Sequence, residues 1–230
     1  MDPNRKHWNE NQQKLNRALR EALPWSATGQ REQAIELFLQ QHAMLHSAKM
    51  ANTGLWSFED EVLQNLTNEQ IRKTPTGGEH SIAWILFHLA RIEDITMNVL
   101  IAGTAQLFTR DGWAKKMNAD IVHSANKMDD ESMEQFNAHI NVPALKAYRI
   151  AVGKRTRQIV QKLHAEDFKK KVDSARIQKV MSEGAVTKEA VEIINYWSTR
   201  TIAGLLLMPA TRHNVLHLNE ALKIRQKLLK

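Results

Sequence analysis

The chain has 230 residues, 43% hydrophobic and 25% charged, which is ordinary for one globular domain with a buried core. It contains no cysteine. Disulfides, thiolate ligands and a cysteine nucleophile are therefore excluded, and a bound metal must be held by histidine, carboxylate or water. The formal net charge is +7, but the basic residues are dispersed and no nucleic-acid motif surrounds them, so we expect solvated helix faces rather than a nucleic-acid partner.

The opening residues carry no apolar targeting segment, and no apolar run is long enough to span a bilayer. We therefore expect a cytoplasmic protein without a membrane partner. Only 9 glycines and 5 prolines occur, and apolar residues recur with the period of a helix. These patterns predict an all-α fold, most economically a four-helix bundle with additional short helices.

Residues 1–30 are predicted to form an N-terminal helical arm, and residues 31–230 the bundle domain. The arm has an apolar stripe and then a turn that ends it; the stripe is Leu15, Leu19, Ala22 and Leu23, and the turn is Pro24 and Ser26–Gln30.

Four long helices are predicted from apolar stripes, caps and breakers. They run over residues 31–52, from a Ser81 N-cap to about Ile101, from a first turn at Pro143 to about Leu163, and over the C-terminal part. In the last, Pro209 either starts the helix or kinks one that begins near Thr199. A shorter helix should open at Asp129–Glu131 and run toward His139.

Two histidines in the last helix, His213 and His217, are four residues apart and so lie on one helix face. His88 shares an equally apolar stripe with Ile85 on the second helix. A neutral imidazole is a preferred ligand of zinc, nickel, copper or iron(II), and three of them leave a coordination position open. The alternative is that the histidines are hydrogen-bonded core residues, since such pairs also arise by chance.

The segments Ser81–Asp94 and Arg212–Glu220 resemble the second and last helices of the DinB-like superfamily, damage-inducible metal-binding helical bundles. The resemblance is sharp there and general over residues 31–230, except 169–184. It implies a DinB-like bundle in which His88, His213 and His217 bind a divalent ion, most readily zinc or nickel.

Characterised members of that superfamily include transferases that use bacillithiol or mycothiol and a thiol-dependent isomerase. The resemblance therefore favours S-transfer with a low-molecular-weight thiol and a small-molecule substrate, and it also implies a homodimer. Metal-assisted hydrolysis uses the same type of site and stays open as an alternative.

Four further residues are candidates for roles near the metal. His46, one turn after His42 in the first long helix, is predicted to line the substrate side of the pocket or tune bound water, unless both are core residues. Glu220 could orient a histidine or act as a base, unless it is a surface carboxylate. Arg91 and Arg212 could hold a carboxylate of the substrate or the thiol, unless they form surface ion pairs.

Two classes of function therefore remain open from the sequence. One is a metal-dependent enzyme that performs thiol S-transfer or hydrolysis of a small molecule. The other is a non-catalytic bundle with a structural ion or a sensing pocket, because a shared fold does not transfer chemistry. An open coordination position that solvent can reach favours the enzyme, and a fourth protein ligand favours the structural role.

Overall fold

The computed structural model describes residues 2–20, 29–78 and 80–230. Over these ranges the chain is helical and contains no β-strand, only an isolated bridge between Lys171 and Thr201. The predicted all-α class is confirmed. In the same ranges no helix is both long enough and apolar enough to cross a membrane.

The α-helices are α1 Pro3–Arg20, α2 Gln30–Ala43, α3 Ala48–Ala51, α4 Phe58–Leu63, α5 Asn68–Arg72, α6 Ile82–Asp94, α7 Leu107–Arg110, α8 Trp113–Met117, α9 Asp130–His139, α10 Val142–Gln161, α11 Ser174–Ser182, α12 Val191–Ser198, α13 Ile202–Leu207 and α14 His213–Leu228. Segments Ile95–Ala102 and Met208–Arg212 are π-helical, and Ala165–Lys169 and Lys188–Ala190 are 3₁₀-helical.

The bundle is organised around α6, whose thirteen residues are all buried. A helix that is covered on every side lies inside the core rather than on the surface. Helices α10 and α14 pack directly against α6. Every polar side chain on α6 must therefore find a partner inside the protein, which sets the conditions for the site described below.

The N-terminal helix α1 packs along α2 and is part of the folded structure. Its apolar face buries Trp8, Leu15 and Leu19. The Trp8 indole donates to the backbone carbonyl of Gln41, and the Gln41 amide donates back to the Trp8 carbonyl at 2.8 Å. The remaining residues predicted for the arm and its turn, Ala22, Leu23, Pro24 and Ser26 to Thr28, lie outside the described residues.

Several helix starts follow the capping signals in the sequence. The Ser81 hydroxyl accepts from the Trp84 N–H at 3.0 Å, and the Asp129 carboxylate accepts from the Ser132 N–H at 2.7 Å. Pro143 lies in the first turn of α10, where its missing N–H costs no helical hydrogen bond. The predicted starts of α6, α9 and α10 are confirmed.

The predicted extent of the first long helix is wrong. Helix α2 ends at Ala43, and the chain turns before α3 begins at Ala48. The Met44 carbonyl accepts from the Phe58 N–H at 2.8 Å, and the His46 carbonyl accepts from the Ser57 hydroxyl at 2.7 Å. Tertiary hydrogen bonds thus replace the helical ones, and His46 lies in the turn rather than on the helix that carries His42.

The last long element is a helix kinked at Pro209, the second of the two predicted alternatives. It begins at Ile202, widens to a π-turn over Met208–Arg212 and continues as α14. Proline cannot donate the hydrogen bond that a regular helix needs. The Asn214 amide donates to the Pro209 carbonyl at 3.1 Å, and Asn214 directly follows His213.

Two helical glycines differ in the space around them, which gives a matched test of the packing. A Cβ on Gly153 would lie 2.8 Å from Met50 Cγ and 2.9 Å from His46 Nδ1, whereas one on Gly204 would have its nearest contacts at 3.5 Å, both on Arg200. We expect Gly153→Ala to lower the free energy of unfolding by about 1–3 kcal/mol through overpacking. Gly204→Ala should leave it unchanged or raise it by up to about 1 kcal/mol. Urea unfolding measures both, and equal effects would contradict the described packing.

Candidate metal centre

Three imidazoles meet between α6 and α14. His88 lies in the middle of α6, and His213 and His217 lie in the first two turns of α14. One ligand atom from each ring lies within 4.8 Å of the other two. The Nε2 atoms of His88 and His213 are 3.2 Å apart. Two nitrogens bound to one tetrahedral zinc ion would be about 3.3–3.4 Å apart, so this spacing fits a shared cation.

Hydrogen bonds fix the orientation of two of the rings. His88 Nδ1 donates to the backbone carbonyl of Ser124 at 2.7 Å, and His217 Nδ1 donates to Glu220 Oε2 at 2.9 Å. With the proton on Nδ1, a neutral ring keeps its lone pair on Nε2. Metal-binding histidines commonly have such an outer acceptor. His213 Nδ1 is buried and has no hydrogen-bond partner among the described residues.

Burial keeps His88 and His213 neutral. Burial, together with a smaller effect of the nearby His217, lowers the pKa of His88 to about 3. Burial also lowers the pKa of His213, with added effects from His88 and His217. An uncharged imidazole is the form that binds a metal, so the donor set fits a divalent ion such as zinc or nickel.

The outer side of the site contains His80, which the sequence reasoning missed. His80 Nδ1 donates to Glu220 Oε1 at 2.7 Å, so Glu220 bridges His80 and His217. Partial burial raises the pKa of Glu220, but the hydrogen bonds from His217 and His80 outweigh it and lower the pKa to about 2. His80 precedes the cap of α6 and belongs to no helical stripe, so no spacing signal marks it.

The cluster is buried on the α6 side and reached by solvent on the α14 side. His88 is 2% exposed, whereas the His217 side chain is 22% exposed and that of Glu220 is 36% exposed. Within the described residues, the ligand atoms that lie close enough together to share one ion here come from three side chains, His88, His213 and His217. Glu220 contacts the Nδ1 edge of His217, away from its Nε2. Among the described residues, no fourth ligand side chain joins this group.

The two candidate arginines lie in different surroundings. Arg91 is buried, donates to the Val122 carbonyl at 2.6 Å and to Gln106 at 2.8 Å, and lies over the Phe108 ring. These internal contacts occupy its guanidinium, and its role toward a ligand stays a prediction. Arg212 is exposed and lines a groove of about 570 Å³ that extends to Trp56.

His46 belongs to a second, fully buried cluster. His42 Nε2 and His46 Nε2 lie 2.8 and 3.0 Å from the two oxygens of Glu93, and Thr156 also donates to this carboxylate at 2.6 Å. The ligand atoms are thus already paired with each other, and neither histidine has a hydrogen-bond partner at Nδ1 within the part of the chain that the structure describes. This arrangement fits a hydrogen-bonded carboxylate in the core better than a metal site. A catalytic role for His46 stays a prediction.

The fold and the three-histidine cluster define a helical-bundle protein with a site suited to a divalent ion. The family model of the DinB superfamily matches residues 56–221, well over half of the chain. The chain belongs to the DinB superfamily, as the sequence resemblance predicted. The matched region contains His88, His213, His217 and Glu220, and begins after α1 and α2. No curated protein matches the chain.

The second cluster predicts a specific pH dependence of stability. The ordinary pKa of a histidine is 6.5, and burial lowers that of His46 to about 3. Between these values the unfolded chain binds more protons than the folded one, so the free energy of unfolding falls as the pH falls. From pH 7 to about pH 5 one such histidine accounts for a loss of about 2 kcal/mol.

His46→Gln keeps a donor for Glu93 but cannot titrate. We therefore expect the metal-free variant to lose less stability between pH 7 and about pH 5 than the metal-free wild type. Urea unfolding at the two pH values measures the difference. His139→Gln, at an exposed position on α9, is the control. The same pH dependence in wild type and His46→Gln would contradict the buried, neutral state of His46.

Proposed function

We propose that this protein binds a divalent ion, zinc or nickel, through His88, His213 and His217 and uses it in a reaction of a small molecule. Thiol S-transfer is the preferred reaction, and hydrolysis is the alternative at the same site. The observation that carries the proposal is a cluster of three imidazoles on a partly exposed side of the bundle, which no fourth ligand side chain joins among the described residues. When bound, such an ion acts as a Lewis acid and lowers the pKa of a bound water or thiol.

The surrounding residues support this role by holding the ligands. The Ser124 carbonyl orients His88, and Glu220 orients His217. Both oxygens of Glu220 accept hydrogen bonds from histidines, so we assign it to orientation rather than to proton abstraction. Because the chain has no cysteine, the sulfur for S-transfer must come from an external thiol.

The groove beside α14 is our candidate for the part of the substrate or thiol that does not react. Its lining residues in the last helical element are Arg212, Val215, Leu216 and Asn219, which form the stripe next to that of His213 and His217. The Arg212 guanidinium has no hydrogen bond or ion pair with any described residue, so it is free to hold a carboxylate. Trp56 supplies an apolar wall, as ligand pockets commonly require.

Replacing one ligand tests the proposal. Protein purified without chelator or nickel resin should contain near-stoichiometric metal, and His213→Ala should fall to background in elemental analysis. Added zinc at a hundredfold excess over its Kd should stabilise the wild type by about 2.7 kcal/mol and leave the variant unchanged. Thiol-conjugating turnover should be lost in His213→Ala while its helical circular dichroism is retained.

His139→Ala, at an exposed position on α9, should retain the wild-type metal content and serves as the control. Equal metal content in His213→Ala and wild type would refute the ligand assignment. Collapse of the variant, together with an absence of turnover in the wild type, would instead identify a structural ion.

A further inference from the structure

His80 connects to metal-site residues of both helices. It lies just before the Ser81 cap of α6, and its side chain is 22% exposed. One edge of its ring contacts Glu220 on α14, and one face contacts Trp84 on α6. We infer that His80 is a positioning residue of the metal centre, which orients His217 and His88 through these two neighbours and thereby raises the affinity for the ion. The inference rests on the proposed metal binding.

The first connection is a hydrogen-bonded chain. His80 Nδ1 donates to Glu220 Oε1 at 2.7 Å, and His217 Nδ1 donates to Glu220 Oε2 at 2.9 Å. The terminal torsion of a glutamate is broad when nothing restrains it. Anchoring both oxygens removes this freedom, so the His80 hydrogen bond helps to fix the acceptor that sets the plane of the His217 ring.

The second connection is a stack of three nearly parallel rings. The His80 and Trp84 ring centroids are 3.7 Å apart with an interplanar angle of 6°, and those of Trp84 and His88 are 4.9 Å apart, also at 6°. Trp84 Nε1 is buried and has no hydrogen-bond partner among the described residues. Its ring is therefore held by packing, and His80 covers the face opposite His88.

If His80 and Glu220 formed only an ordinary surface ion pair, replacing His80 would not have the effect on metal binding that we expect of a positioning residue. A partly exposed pair contributes little to stability, and its loss would leave metal binding unchanged. Loss of a residue that orients two ligands should weaken metal binding more than it lowers the stability of the fold. Loss of outer contacts of this kind typically weakens metal binding by about 10–100-fold.

Three substitutions separate the two connections. His80→Asn keeps a donor near the position of Nδ1 but loses the ring, His80→Phe keeps the ring but loses the donor, and His80→Ala loses both. His139→Ala is the control. The zinc Kd is measured by competition with a chromophoric chelator, and the visible spectrum of the Co²⁺-loaded protein reports the ligand geometry.

We expect His80→Ala to raise the zinc Kd by about 10–100-fold and to alter the Co²⁺ spectrum, with smaller changes in His80→Asn and His80→Phe. The melting temperature of the metal-free protein should change little. Wild-type Kd and spectrum in all three variants would overturn the inference, as would a lower metal-free melting temperature without a change in Kd. Absence of zinc binding by the wild type would refute the proposed function itself, so the two failures are distinguishable.

Discussion

The hydrogen bond from His88 Nδ1 to the Ser124 carbonyl is the interaction on which the candidate metal centre depends. Helix α6 is buried on all sides, and a polar side chain there needs a partner. Because the proton is held on Nδ1, the other nitrogen presents its lone pair toward α14. The orientation of one loop carbonyl therefore determines which atom of His88 faces His213 and His217.

The loop that supplies this carbonyl is held at Val122 and at Ser124 itself. The Arg91 guanidinium donates to the Val122 carbonyl, and the Ser124 N–H donates to the Ala185 carbonyl at 2.9 Å. Ala125 adopts a left-handed φ of 65°, which costs a non-glycine residue about 1–2 kcal/mol. Strain of this kind persists where surrounding contacts fix the backbone, often near functional sites. Arg91 thus helps to hold the loop that orients His88 in the candidate metal centre.

The sequence predicted the parts of the protein that depend on local chemistry. The Ser81 cap, Pro143 in a first turn and the pairing of His213 with His217 follow from side chains that act within one or two helical turns. The break after Ala43 could not be predicted, because it depends on hydrogen bonds from a segment more than ten residues away. His80 was missed for the same reason: only the folded chain brings it to Glu220.

X-ray absorption at the zinc edge of the zinc-loaded protein tests the central claim most directly, because it counts the ligands around the ion. The account predicts three imidazole nitrogens at about 2.0–2.1 Å together with at least one oxygen, or a sulfur when a thiol is added. A first shell without three imidazoles, or one closed by a fourth protein side chain, would contradict it.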